Sequence, residues 1–187
     1  MKTSKKKIVV GISAGSGVIL GIKLLRKLGE MGIETHLVMT DVARKVIGQE
    51  TGFSPEEVEK LASHVHEIGN FFAPIASGSF RTDGMVVVPC SMKTLSGIAS
   101  GYSDNLLLRA ADVVLKERRK LVVVAREMPL NLIHIRNMEK ATLAGAVILP
   151  PLMTYYSKPE SIEDMERHVI GKVLDQLGLD AGYRRWE

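Results

Sequence analysis

Cysteine is almost absent: Cys90 is the only one in 187 residues. No internal disulfide can form, which excludes a disulfide-stapled secreted scaffold. Aromatic residues make up 5% of the chain. They do not interleave with the basic residues, so the pattern of a protein that stacks single-stranded bases on rings is missing and no nucleic-acid partner is expected. Long apolar runs are missing too, because the stretch "IVVGISAGSGVILG" is broken by Gly and Ser. It reads as a strand and turn rather than a signal peptide, and no membrane span is expected. The expected compartment is the cytoplasm.

What remains is 45% hydrophobic residues, enough for one core at this length. Residues 1–187 are expected to form a single domain, with 1–6 as a basic tail and 180–187 as a C-terminal tail. Val, Ile, Leu and Ala carry the core, as in a sheet covered by helices. The net charge is +4. The basic runs are Lys2–Lys7 and Lys116–Lys120; the first reads as solvated tail and the second as the cationic end of a helix. Such a balance suits anionic small molecules.

Strand patterns occur at Ile8–Ile12, Thr35–Met39, Met85–Pro89, Leu121–Ala125 and Ala146–Leu149. Between them, helical spacing predicts helices at Val18–Leu28, Val42–Gln49, Ser91–Ala99, Leu130–Lys140 and Ser161–Leu177. Ser54 to Glu57 is a capping box that starts another helix, expected to run to about His66. Ser103-Asp104 is expected to cap a helix over Asn105–Arg118. Near-continuous apolar strands alternating with helices predict an α/β fold: a doubly wound parallel sheet, Rossmann- or flavodoxin-like. Ligands of such folds sit beyond the carboxyl ends of the strands.

Ser13, Ala14, Gly15, Ser16 and Gly17 follow the first strand. Free N–H groups at a helix start favour an anion, and Gly permits close approach. The spacing Gly15-x-Gly17-x-x-x-Gly21 departs from G-x-G-x-x-G, but with Asp41 it leaves a dinucleotide site open. The alternative is a tight turn that holds nothing. After the third strand, Ser91 and Thr94 open a second helix; they suit a phosphorylated ligand, or Ser91 is an ordinary cap. Cys90 beside them suits a small buried filler. Arg126 after the fourth strand can fork onto a phosphate or a flavin oxygen, and Glu127 can move a proton; a structural ion pair is the alternative. Tyr155 and Tyr156 offer aromatic faces and hydroxyls. Lys172 reads by itself as a solvent-facing lysine. His64 and His66 have no Cys or carboxylate cluster beside them, so they read as exposed helix residues and no metal site is expected.

The segments "ISAGSG", "APIASGSF", "VVVPCSMKTLSGIASG", "NLLLRAADVVLKERRKLVVVAREMPL", "NMEKATLAGAVILPP" and "TYYSKP" occur in this order. Together they closely resemble the UbiX-type flavin prenyltransferases, from about Ile8 to Leu179. The resemblance implies an FMN-binding subunit of a homo-oligomer, typically a dodecamer. It implies transfer of a dimethylallyl group from dimethylallyl monophosphate to N5 and C6 of reduced FMN, without a metal. The product would be handed to a UbiD-type decarboxylase. By position, Ala14, Gly15 and Ser16 would hold the FMN phosphate region, with Thr40, Ser91, Met92, Lys93, Thr94 and Arg126 completing the flavin site. Ser16, Lys116, Tyr156 and Lys172 would bind the donor phosphate. Phe71, Ala76 and Ser77 would line the prenyl pocket. Glu50 and Glu127 are the acidic positions, with Glu127 moving the proton during ring formation.

The chain departs from the family's pattern at three places. The usual Gly-Ala-Ser-Gly turn is Ala14-Gly15-Ser16-Gly17, Lys172 stands where Arg is frequent, and Leu20 stands where Tyr is frequent. The competing readings are an FMN-dependent cysteine decarboxylase, a flavin reductase and a non-catalytic FMN carrier. The first relies on a His and a PASANT-like motif, and "PCSMKT" occupies the comparable turn.

Overall fold

The computed structural model describes residues 5–185; residues 1–4 of the basic tail and 186–187 of the C-terminal tail lie outside the described residues. Six strands form one sheet: β1 (Lys7–Ile12), β2 (Glu34–Met39), β3 (His64–His66), β4 (Gly84–Cys90), β5 (Lys120–Ala125) and β6 (Ala146–Ile148). Their order is β3-β2-β1-β4-β5-β6, and every neighbouring pair is parallel.

Alternation along each strand sends side chains to two cores. Ile8, Val10 and Ile12 of β1 join the core under α1 (Val18–Glu30), α2 (Asp41–Glu50) and α7 (Ile162–Gln176). Val9 joins the other, under α4 (Met92–Ser100), α5 (Leu106–Lys116) and α6 (Leu132–Leu143). Burial on both faces is why these strands read as unbroken apolar runs. The five strands expected from the sequence are all present. Taken alone they run 2-1-3-4-5, the flavodoxin order, and β3 at the edge turns this into the Rossmann order 3-2-1-4-5-6.

Strand β3 corrects an expectation. The helix that starts at the Ser54 capping box is α3 (Pro55–Glu59), and it stops well short of His66. Ser63 Oγ accepts from Thr35 N at 3.1 Å while Thr35 Oγ1 accepts from Ser63 N at 2.9 Å. This reciprocal pair draws the segment onto the free edge of β2, where His64–His66 pairs in parallel with His36–Val38. Tertiary pairing has overridden the local helical start.

Smaller differences follow from capping. Asn105, not Ser103-Asp104, caps α5 by accepting from Leu108 N at 3.0 Å, and Asp104 instead accepts from Asn105 Nδ2. Lys7 is no free tail residue: it opens β1, and its ammonium lies 3.4 Å from Glu34. At the other end Tyr183 is buried and donates to Asp175, which also pairs with Arg185 at 2.8 Å.

Candidate active site

Helices α1 and α4 leave the adjacent strands β1 and β4 toward opposite faces of the sheet. That divergence opens a crevice at the carboxyl ends, the place where open α/β sheets bind ligands. Ser13 stitches its floor. It is fully buried; its hydroxyl donates to the Pro89 carbonyl at 3.1 Å and accepts from Ser91 N at 2.9 Å. Arg126 N in turn donates to the Cys90 carbonyl at 3.0 Å. The ends of β1, β4 and β5 are thus tied into one platform. Sequence reasoning assigned Ser13 no role of its own, and its signal was a lone polar residue closing a buried strand.

Above this floor, Gly17 begins α1 with φ 94°, a left-handed conformation that favours glycine. No side chain caps α1, and Gly17 N donates to Glu50 Oε2 at 2.8 Å. Glu50 therefore does reach the turn. The other N–H groups of the first turn of α1 have no side-chain acceptor, which is the arrangement that receives an anion. Ser91 opens α4 as a cap: it accepts from Thr94 N at 3.3 Å and donates to Thr94 Oγ1 at 3.1 Å. Lys93 is exposed in its first turn and Met92 half-buried. Thr40 caps α2 in the same way, accepting from Ala43 N at 3.1 Å. Asp41 follows it, exposed.

A cleft of about 350 Å³ brings Ser16, Gly17 and Arg126 together against an apolar wall that includes Leu152, Met153, Met165 and Val169. Arg126 and Glu127 are both exposed, and no ion pair joins them among the described residues; Glu127 Oε1 accepts from Met128 N at 3.2 Å. The structural ion-pair alternative is therefore set aside. Tyr156 and Lys172 flank the α7 wall without lining the cleft. The Tyr156 hydroxyl is 3.5 Å from His168 Nε2, and Lys172 is exposed one turn further along α7. Burial, helped by Lys172, lowers the pKa of His168. Thr154 Oγ1, next to Met153, is buried with no partner among the described residues.

The remaining expected residues lie elsewhere. Lys116 ends α5, on the opposite face from α1 and beside the start of β5. Its ammonium pairs with Glu117 and lowers the pKa of that carboxyl group. A strand of this length separates it from Ser16 by about 20 Å. Phe71, Ala76 and Ser77 run down the α5 flank toward it, on a loop that contains the 3-10 turn Pro74–Ala76. Arg109 Nε donates to Ala76 O at 3.1 Å, and Arg119 holds Gly78 O at 2.7 Å and Phe80 O at 2.9 Å. Within one chain the expected donor site is therefore split: Ser16, Glu50 and Arg126 at one end, Lys116 and Ser77 at the other. Cys90 is fully buried, and burial pushes its thiol far above the ordinary range, as befits a filler rather than a nucleophile.

These observations agree with comparisons to known proteins. The family described as Flavoprotein matches residues 1–174. The probable UbiX-like flavin prenyltransferase of Sedimentibacter hydroxybenzoicus is 54% identical over 97% of both chains. The crystal structure of AnUbiX (PadA1) in complex with FMN and dimethylallyl pyrophosphate superposes with a TM-score of 0.97, at 52% identity and 98% coverage of both chains. A dodecameric FMN-dependent UbiX-like decarboxylase from Escherichia coli O157:H7 superposes at 0.95, with 50% identity over 97% of this chain and 99% of the other. The phosphate-type crevice at the β1/β4 divergence, the uncapped start of α1 and these whole-length matches together place the chain among the UbiX-like flavin prenyltransferases of the flavoprotein family.

Proposed function

We propose that this protein joins a dimethylallyl group from dimethylallyl monophosphate to N5 and C6 of reduced FMN and releases the prenylated flavin for a UbiD-type decarboxylase. The observation that carries this reading is the cleft in which Ser16 and the uncapped start of α1 meet Arg126. The residues present fit FMN. The first turn of α1 offers N–H groups with no side-chain acceptor among the described residues, and Ser16 and Gly17 line the cleft beside them. When bound, the flavin supplies the ring atoms that accept the prenyl group.

The chain's own residues do the rest. Ala14, Gly15 and Ser16 hold the flavin phosphate against α1. Arg126, Thr40 and the Ser91–Thr94 turn border the flavin. The apolar wall excludes water from the reacting allylic carbon. As the carbon–oxygen bond of the donor breaks, its phosphate gains charge, which Ser16, Tyr156, Lys116 and Lys172 neutralise. Glu127 carries the proton released during ring closure.

Lys116 can serve this cleft only from a second copy, because it stands at the far end of its own sheet. Assembly is supported by apolar side chains left exposed on and before α6: Met128, Leu132, Ile133 and Leu143. A homo-oligomer such as the dodecamer reported for the Escherichia coli relative would cover them and complete each site. No described helix is long and apolar enough to cross a membrane. A single buried cysteine and no disulfide framework fit the cytoplasm as the compartment.

The test is a mass spectrum of the flavin released by denaturation after anaerobic incubation with reduced FMN and dimethylallyl monophosphate. A flavin heavier by one prenyl unit is expected. Unmodified FMN as the sole product overturns the assignment.

A further inference from the structure

A group of side chains outside the cleft has a different chemistry. Glu34 and His36 lie two residues apart on β2, and His64 and His66 two apart on β3. The parallel register sets His36 opposite His64, so period-two alternation turns all four side chains to one face of the sheet edge. Glu34 Oε1 lies 3.2 Å from His36 Nε2 and 3.3 Å from His64 Nε2. One ligand atom from each of these three residues falls within 4.8 Å of the others. Donor atoms around a tetrahedral zinc at its usual bond lengths stand about 3.4 Å apart, so two of the three separations already match. His36 Nδ1 lies 3.0 Å from His66 Nε2. That is the outer hydrogen bond that fixes the tautomer and orientation of a metal-bound imidazole.

We propose that Glu34, His36 and His64 form a binding site for a first-row divalent cation, zinc by the nature of its donors, with His66 as the positioning residue for His36. Two imidazoles and one carboxylate select this class over calcium or magnesium, which take oxygen ligands. The fourth position belongs to water. The ion would take the Nε2 lone pair of each neutral imidazole, leaving the one ring proton on Nδ1, which for His36 faces His66 Nε2. Lys7, 3.4 Å from the same carboxylate oxygen, already offsets part of the charge of Glu34 and moderates the affinity. The ion would act as a fastener. Strand β3 has three residues and holds to one neighbour, and coordination from both strands would pin it to β2. The site lies at the sheet's edge and takes no part in prenyl transfer.

The experiment is equilibrium dialysis of the tag-free full-length protein against zinc chloride after chelator treatment, with bound zinc read by elemental analysis. The wild-type chain is expected to take up one zinc more than His64→Ala and Glu34→Gln. His66→Ala is expected to bind it about tenfold more weakly. Zinc is also expected to slow amide exchange at residues 64–66 in the wild type and not in His64→Ala. Equal uptake by the wild type, His64→Ala and Glu34→Gln overturns the proposal, as does wild-type uptake with no change in exchange at β3. Circular dichroism on each variant separates a lost ligand from a lost fold.

Discussion

Glu127→Gln is expected to lower the rate of flavin prenylation by about 10²–10⁴-fold, the usual worth of a positioned proton carrier. Bound FMN should remain, because the amide keeps the shape of the carboxyl group and Glu127 lies outside the floor stitched by Ser13, Pro89 and Ser91. Single-turnover prenylation followed by mass spectrometry reads the rate, and flavin absorbance reads occupancy. Full activity in this variant would remove Glu127 from the chemistry. Loss of both flavin and activity would make it a binding residue.

The same variant tests the split site. Lys116 and Glu127 stand at opposite ends of β5, so one copy cannot offer both to one cleft. Lys116→Ala alone should also be nearly inactive, since the departing phosphate loses a cation. Unfolding and reassembling the two variants together in equal amounts should restore about a quarter of wild-type activity, because a random assembly leaves that share of sites with both residues intact. No recovery would mean that both residues reach a site from the same copy, or that Lys116 acts elsewhere.

Gly21→Ala should have the largest effect on folding. A β-carbon at Gly21 would lie 2.6 Å from the Val88 carbonyl oxygen and 3.0 Å from Ile12 Cδ1. A backbone carbonyl in the central strand β4 cannot yield as a flexible side chain does, so α1 must move off the sheet. Overpacking of this kind costs about 1–3 kcal/mol and sometimes more, or roughly 2–4 °C of melting temperature per kcal/mol at this chain length. The displaced helix carries the Ser16–Gly17 turn with it, so flavin retention should fall as well. Gly29→Ala is the control within the same helix. Its β-carbon would meet nothing within 4 Å, and helix propensity predicts a gain of up to about 1 kcal/mol. Melting curves of the two variants, with and without FMN, read both effects. Equal melting temperatures would show that close packing at Gly21 does not hold α1 in place.

Much of this protein was determined by local pattern. Five strands and most of the helices follow from apolar periodicity, because strands buried on both faces must be apolar throughout. The turns at Ala14–Gly17 and Ser91–Thr94 were also legible as helix starts, since glycine and hydroxyl residues there have a fixed local chemistry, and Ser91 acts as the ordinary cap that was one of its two readings. What only the tertiary structure decided involves residues far apart in the chain. Thr35 and Ser63 bond reciprocally and turn an expected helical segment into β3, which gathers Glu34, His36, His64 and His66 at one edge. Ser13 reaches Pro89 and Ser91 to build the floor of the crevice. Lys116, which the family resemblance grouped with Ser16, stands at the far end of the sheet, because a helix that precedes a parallel strand must end where that strand begins. Short-range periodicity cannot express such relations. They depend on strand order and on which face each helix takes, and these are settled only when the whole chain buries its apolar surface at once.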